Sequence, residues 1–252
     1  MIRLRPLFGL AFAAILWEAV SLAAATPSLP GPGAVAAAFP GLVLGGTLPR
    51  ALWLTLGHTA LGLGTAMALG LPLGLLMGRS RAARAFLTPT MELLRPLPPS
   101  ALIPPAMLLA GFGPGLYAAV VGFAACFPLL LAAMDAGRAV PTPLVDTARS
   151  LGAGRLRTIT RVVVPACLPG VSTGLRMALP VALIVTVLAE MVGGDGAGRL
   201  LLRLQRTWRI PEMYACVMGL GLTGWALAAA LASLESRMIF WSPTHRRPSH
   251  HP

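Results

Sequence analysis

The sequence predicts an all-α integral membrane protein with about six transmembrane helices, and three observations carry that expectation. Of its 252 residues, 56% are apolar and only 11% are charged, against about 25% charged in an ordinary soluble domain. Mean hydropathy is +0.77. The apolar residues fall into runs of near-spanning length, separated by short arginine-bearing or proline- and glycine-rich connections. The chain reads as one membrane domain over residues 1–252, with a core over about 50–241, a polar loop over about 135–168 and a flexible tail over 242–252.

The first span is expected over about residues 6–25, after Arg3 and Arg5. Ala23-Ala24-Ala25 resembles a signal-peptide cleavage region, but Glu18 inside the run and the further spans downstream favour a retained helix. The connector that follows carries Pro27, Pro30, Gly31, Pro32, Gly33 and Pro40, which predicts irregular backbone. The second span, about Trp53 to Met77, is glycine-rich, and Gly70-x-x-x-Gly74 has the spacing that lets membrane helices approach closely. Arg79, Arg81 and Arg84 mark a loop. The third span, about Leu97 to Gly111, opens on Pro96, Pro98 and Pro99 and holds Pro104-Pro105, so a kink is expected. An uncharged turn, Gly111 to Gly115, leads to the fourth span at about Leu116 to Met134. The fifth covers about Pro169 to Val192, with a bend expected at Pro180, and the sixth about Tyr214 to Phe240.

Charge sets the topology. With both termini inside, thirteen loop and terminal arginines face inward, and Arg50, Arg199, Arg203, Arg206 and Arg209 face outward, as positive-inside bias requires. The outer arginines of loop 193–213 stand against that bias. They suit a basic helix that meets an acidic partner or an anionic substrate, or a solvated one.

Several chemistries are excluded. All 20 basic residues are arginine, so the chain has no lysine for a P-loop and cannot be a P-loop ATPase. The net charge of +12 is accounted for by loop arginines, which argues against nucleic acid. Cys126, Cys167 and Cys216 are odd in number and widely spaced, reading as small buried residues rather than a disulfide or metal framework. Gly219 to Gly224 spells G-x-G-x-x-G inside an apolar span, without the strand and acidic residue a dinucleotide site needs; helix packing is the reading. His245, His250 and His251 lie in a Pro-rich tail that reads as solvated. No catalytic set or metal-ligand spacing stands out.

The most informative stretch runs from Asp146 to Pro165: Asp146-Thr147-Ala148, three residues, Gly152, nine residues, Val162, then Val164-Pro165. It predicts a short amphipathic helix, a glycine break and a second, basic helix, on the side the arginine count places in the cytoplasm. This stretch resembles the EAA loop of binding-protein-dependent ABC importer permeases, EAA-x3-G-x9-I-x-L-P, with Asp for Glu, Thr for the first Ala, and valines for Ile and Leu. Further segments look like the alkanesulfonate, taurine and nitrate permeases: Trp17-Glu18, Gly70 to Gly78, Leu94 to Ala101, Gly174-Leu175-Arg176, Ala189-Glu190, and Leu234 to Arg237 with Trp241. Two departures bear on substrate identity. His58 stands where those relatives usually carry arginine, and the segment Gly193 to Gly198 is short and glycine-laden.

The resemblance implies a type I ABC importer (MetI-like) permease fold. It implies a homodimer of permease copies in the bacterial inner membrane, two ATPase subunits docked on the cytoplasmic loops, and an extracytoplasmic binding protein that delivers solute. No cofactor is expected on this chain, ATP and Mg being bound by the partner ATPase. Asp146, Thr147, Ala148, Leu151, Gly152, Ala153 and Pro165 then couple the chain to the ATPases. The expected cargo is a sulfonate-, taurine- or nitrate-like anion; a related branch handles thiamine-precursor pyrimidines and other small heterocycles. His58, Arg176 and Glu190 are ionisable groups in or near spans, where a charge faces a cavity or a partner, and they are the candidates for the pathway; a positive group there suits an anion, and anchoring to a loop or to lipid phosphate is the equal alternative. Arg176 and Glu190, fourteen residues apart, are separated by about 21 Å along one helix and cannot pair within it. A membrane scaffold, a membrane-embedded enzyme or a secondary transporter are the different-class alternatives. The scattered charges, the kinked spans and the lack of repeated halves weigh against each in turn.

Overall fold

The computed structural model describes residues 5–238, so Arg3, Trp241 and the tail histidines lie outside the described residues. Within them the chain is helical, with no strand. The helices are α1 (Arg5–Ala24), α2 (Pro32–Leu44), α3 (Thr47–Arg79), α4 (Arg81–Leu94), α5 (Ile103–Ala110, after a 3₁₀ turn Pro99–Leu102) and α6 (Pro114–Ala139). They continue with α7 (Thr142–Ser150), α8 (Arg155–Thr158), a π turn Ile159–Val163, α9 (Val164–Gly193), α10 (Ala197–Arg206) and α11 (Ile210–Met238). Four runs are long and apolar enough to cross a membrane: Thr47–Arg79, Pro114–Ala139, Arg155–Gly193 and Ile210–Arg237. The other two expected spans are shorter apolar helices, Phe8–Ala24 and Pro99–Ala110.

Three local expectations are corrected. The proline-rich connector is not irregular throughout, because α2 occupies Pro32–Leu44. Pro32 sits in the first turn, where its missing N–H is unpaired in any helix. Pro40 removes one bond in the interior, and burial of Val35 and Leu42 offsets it. The segment after Arg79 is a helix as well, α4, capped by Ser80, whose hydroxyl accepts from the Ala83 N–H at 3.2 Å. Pro104-Pro105 do not kink a span. They lie in the first turn of α5, where no intrahelical donor is lost.

The chain clusters into two compact units, Met1–Thr55 with Glu190–Thr223, and Leu56–Ala189 with Gly224–Pro252. The second is built around α6. Small residues recur every fourth position on α3, and at Gly70, Gly74 and Gly78 a Cβ would strike α6; at Gly70 it would lie 3.0 Å from the Cys126 carbonyl oxygen. On α9, a Cβ at Gly170 would lie 2.7 Å from that of Ala136. Glycines on both neighbours thus let two helix backbones close onto α6, which buries Leu116, Tyr117, Val121 and Leu129. In the first unit, Val35, Leu42, Leu48, Leu200 and Leu204 form a core with Trp17 and Tyr214 packed against it. There the carboxylate of Glu18 lies against Gly31 at the first turn of α2, the end of a helix that favours negative charge.

Candidate functional site

The polar excursion between α6 and α9 is held to its unit by few contacts. Arg79, at the end of α3, reaches the Gly137 and Val140 carbonyl oxygens at 3.4 and 3.5 Å, binding acceptors that the end of α6 leaves open. Pro141 then caps α7. Val145 is the one buried residue of α7, packing with Val140, Val163 and Cys167. Asp146, Thr147 and Arg149 are exposed, Ala148 half-buried. Leu144 and Leu151 are 47% and 83% exposed, so an apolar edge faces away from the bundle.

The end of α7 gives the motif spacing a physical reason. The Ala153 N–H bonds to the Ala148 carbonyl at 3.0 Å, and the Gly152 N–H to that of Arg149 at 2.9 Å. That bond pair is a Schellman closure, which requires a left-handed residue at the position Gly152 holds; its φ is +80. Glycine adopts this conformation without a Cβ penalty. The second helix follows at once. Thr158, buried, ties its hydroxyl to the Gly154 carbonyl at 3.1 Å. The π turn Ile159–Val163 ends two residues before Pro165, whose ring cannot donate to Arg161 and crowds its carbonyl, and a widened turn relieves both.

The three pathway candidates are not brought together; each has partners of its own. Glu190 is fully buried in the first unit. Its carboxylate accepts from the Thr55 hydroxyl and the Gly198 N–H, both at 2.9 Å, while the Ala197 N–H donates to Thr55 Oγ1 at 2.9 Å. The negative charge therefore sits on the first turn of α10, where the helix dipole and free amides stabilise it. Gly196, with φ +115, has no room for a Cβ beside that carboxylate. His58 stacks on Tyr117, ring centroids 3.8 Å apart. Arg176 pairs with Glu235 on α11, Nε to Oε2 2.6 Å, and the Ser172 hydroxyl donates to the same carboxylate at 2.9 Å. Arg176 also lines a cavity of about 330 Å³ with Leu179, Pro180 and Leu227.

Sequence reasoning missed a larger cavity in the second unit. About 750 Å³ in volume, it is lined by Arg95, Phe127, Asp135, Thr173 and Met177, among others. Polar groups from three separate segments converge there, and no spacing in the sequence announces that. Gly219 to Gly224, by contrast, lies inside α11, where a Cβ at Gly219 would lie 3.0 Å from a Leu48 methyl. That is helix packing.

Comparison with known proteins bears on this arrangement. Residues 70–237 match the family model of the binding-protein-dependent transport system inner membrane component. An ABC transporter permease protein of Methanocaldococcus jannaschii is 31% identical, over 92% of this chain and 89% of its own length. A Bacillus subtilis protein named as an aliphatic sulfonates transport permease is 28% identical, over 84% of this chain and 78% of that one. In fold the chain is similar to a chain of the MetNI methionine ABC transporter in an inward-facing conformation, with a TM-score of 0.57 at 18% identity, covering 73% of this chain and 95% of the other.

Proposed function

The chain belongs to the binding-protein-dependent transport inner membrane components, multi-pass permease subunits of ABC importers, and from that premise we propose how it works. Two copies form the path. Partner ATPases bind ATP and Mg and dock at the α7–α8 loop, an extracytoplasmic binding protein delivers cargo, and both termini face the cytoplasm. The cargo is a small anion of the sulfonate, taurine or nitrate kind, a reading supported by the sulfonate permease among its relatives.

The observation that carries the coupling role is the Schellman closure at Gly152 on a helix whose one buried residue is Val145. Such a helix presents Leu144, Asp146 and Leu151 outward to a partner. The closure fixes the angle at which Ala153 leads into α8, and α8 with the π turn runs on into α9. A push on α7 is then delivered to a helix that runs for about 45 Å, given thirty residues at 1.5 Å each. Pro165 sits at the junction and stiffens it.

The test replaces Gly152 with proline and, separately, Asp146 with arginine, in cells making the complete transporter. Both variants are expected to lose solute uptake and to retain less ATPase on purification. Undiminished uptake and ATPase recovery in both would remove the coupling assignment.

A further inference from the structure

The outer arginines remain unexplained by this reading. On α10, Arg199, Arg203 and Arg206 stand at i, i+4 and i+7 and are exposed, while Leu200 and Leu204 on a neighbouring face are buried. Like charges at that spacing repel one another. Nearby Arg209 has its own carboxylate, Glu212, at 3.0 Å. Among the described residues Arg50, Arg199, Arg203 and Arg206 make no ion pair.

These guanidinium groups line concave space rather than a flat surface. One cavity of about 350 Å³ is lined by Arg50, Arg199 and Arg203, with Thr47 and the single carboxylate of Asp195. Another of about 400 Å³ is lined by Arg199, Arg203 and Arg206, with Thr207. Thr55 and Glu190 hold the first turn of α10 from beneath, so the helix carrying the arginines is fixed before any ligand arrives. The same bonds occupy its first amides, which leaves the side chains to do the binding.

We propose that Arg50, Arg199, Arg203 and Arg206 form an oxyanion-binding site at the extracytoplasmic end of the chain. Its ligand is a sulfonate, carboxylate or phosphate group, whose oxygens match the planar, multi-donor guanidinium. Such a ligand supplies the negative charge that the four arginines lack, in a region where positive-inside bias disfavours them. The site stands without the importer reading; its use by cargo rests on that reading, and the extracytoplasmic placement rests on the topology.

The test is equilibrium binding of radiolabelled sulfate to the full chain, purified with its partner ATPases in neutral detergent, against chloride at matched ionic strength. Saturable binding is expected, and Arg199→Gln with Arg203→Gln should weaken it about tenfold or more, through loss of two charge-assisted contacts. Asp195→Asn should tighten it, since it removes the one carboxylate that lines the cavity among the described residues. In nanodiscs, competition by phosphatidylglycerol but not phosphatidylcholine would identify a lipid phosphate as the resident ligand; competition by free methanesulfonate alone would identify cargo. Either result supports an oxyanion site. The proposal is overturned if sulfate does not bind and anionic lipid has no effect, if the double variant binds as the parent does, or if the basic face retains only an acidic protein. Cellular uptake with intact partners tests the importer reading separately, since a transporter that works with unaltered sulfate binding in the double variant refutes only the site.

Discussion

Two short amphipathic helices flank α9 in the chain, α7 before it and α10 after it, and they are attached in opposite ways. α7 buries Val145 alone and leaves both of its leucine-type edges exposed. α10 buries Ala197, Gly198, Leu200 and Leu204, and its first turn is bonded to the buried Glu190 and to Thr55. Both end in the same backbone closure. After α7 the left-handed residue is Gly152; after α10 it is Trp208 at φ +55, with the Arg209 N–H on the Leu204 carbonyl at 3.0 Å. A tryptophan there is strained, of order 1–3 kcal/mol, and persists because the rest of α10 is fixed. The difference separates a part of the core from a hinged attachment. α10 presents charges at set positions, whereas α7 leaves Leu144 and Leu151 exposed.

Breaking the α10 clamp should have the largest effect. Glu190→Ala strands the Gly198 N–H in a buried place, at about 1–3 kcal/mol for the unsatisfied group, while the Thr55 hydroxyl keeps the Ala51 carbonyl at 3.1 Å and the Ala197 N–H at 2.9 Å. The thermal midpoint should fall, and loop 193–213 should become the first site of protease cleavage. A variant with parental stability and unchanged cleavage would mean that α10 is held by its leucines and that the contrast with α7 is false. Val145→Ala sharpens the comparison from the other side. It removes about 1–2 kcal/mol of packing, but α7 opens without the bundle, so the loss should appear as faster amide exchange in residues 142–153 with little change in global unfolding. If exchange quickens throughout α6 and α9 instead, α7 is integral to its unit.

What was legible in the sequence follows the same division. The α7 break is local: the partners of Gly152 lie within four residues, so spacing alone exposes helix, stop and restart. The long apolar runs and the close-packing glycines of α3 are local patterns too. The role of Glu190 is not, because its hydroxyl partner Thr55 is 135 residues away and only the fold brings them together. Arg176 and Glu235 are likewise 59 residues apart, and their ion pair between two helices is visible only in the fold. α2 was hidden by its prolines, whose cost depends on position in the helix and on burial. Arg79 counted simply as a loop charge, yet it binds the open carbonyl groups ending α6. Arg95 and Asp135, from different helical segments, meet at a cavity that no motif spacing could reveal.

The smallest structural effect belongs to Leu151, and it decides whether the exposed edge of α7 has a use. At 83% exposed, it buries almost nothing within its own chain, so Leu151→Ser should shift stability by no more than about 0.5 kcal/mol. Its backbone N–H, bonded to the Thr147 carbonyl at 3.1 Å, is untouched by the change, and Gly152 keeps its conformation. If the edge seats in an ATPase cleft, the same substitution removes a buried leucine from that interface and should weaken ATPase retention, lowering uptake in proportion. Leu156, 75% exposed on the next helix, provides the internal comparison: Leu156→Ser alters the same class of surface beyond the glycine break. Loss at Leu151 with little at Leu156 would put the contact on α7 itself. Equal losses would extend it across the whole loop, and parental retention in both would leave the apolar edge without a partner and the hinged-lever account without its point of contact.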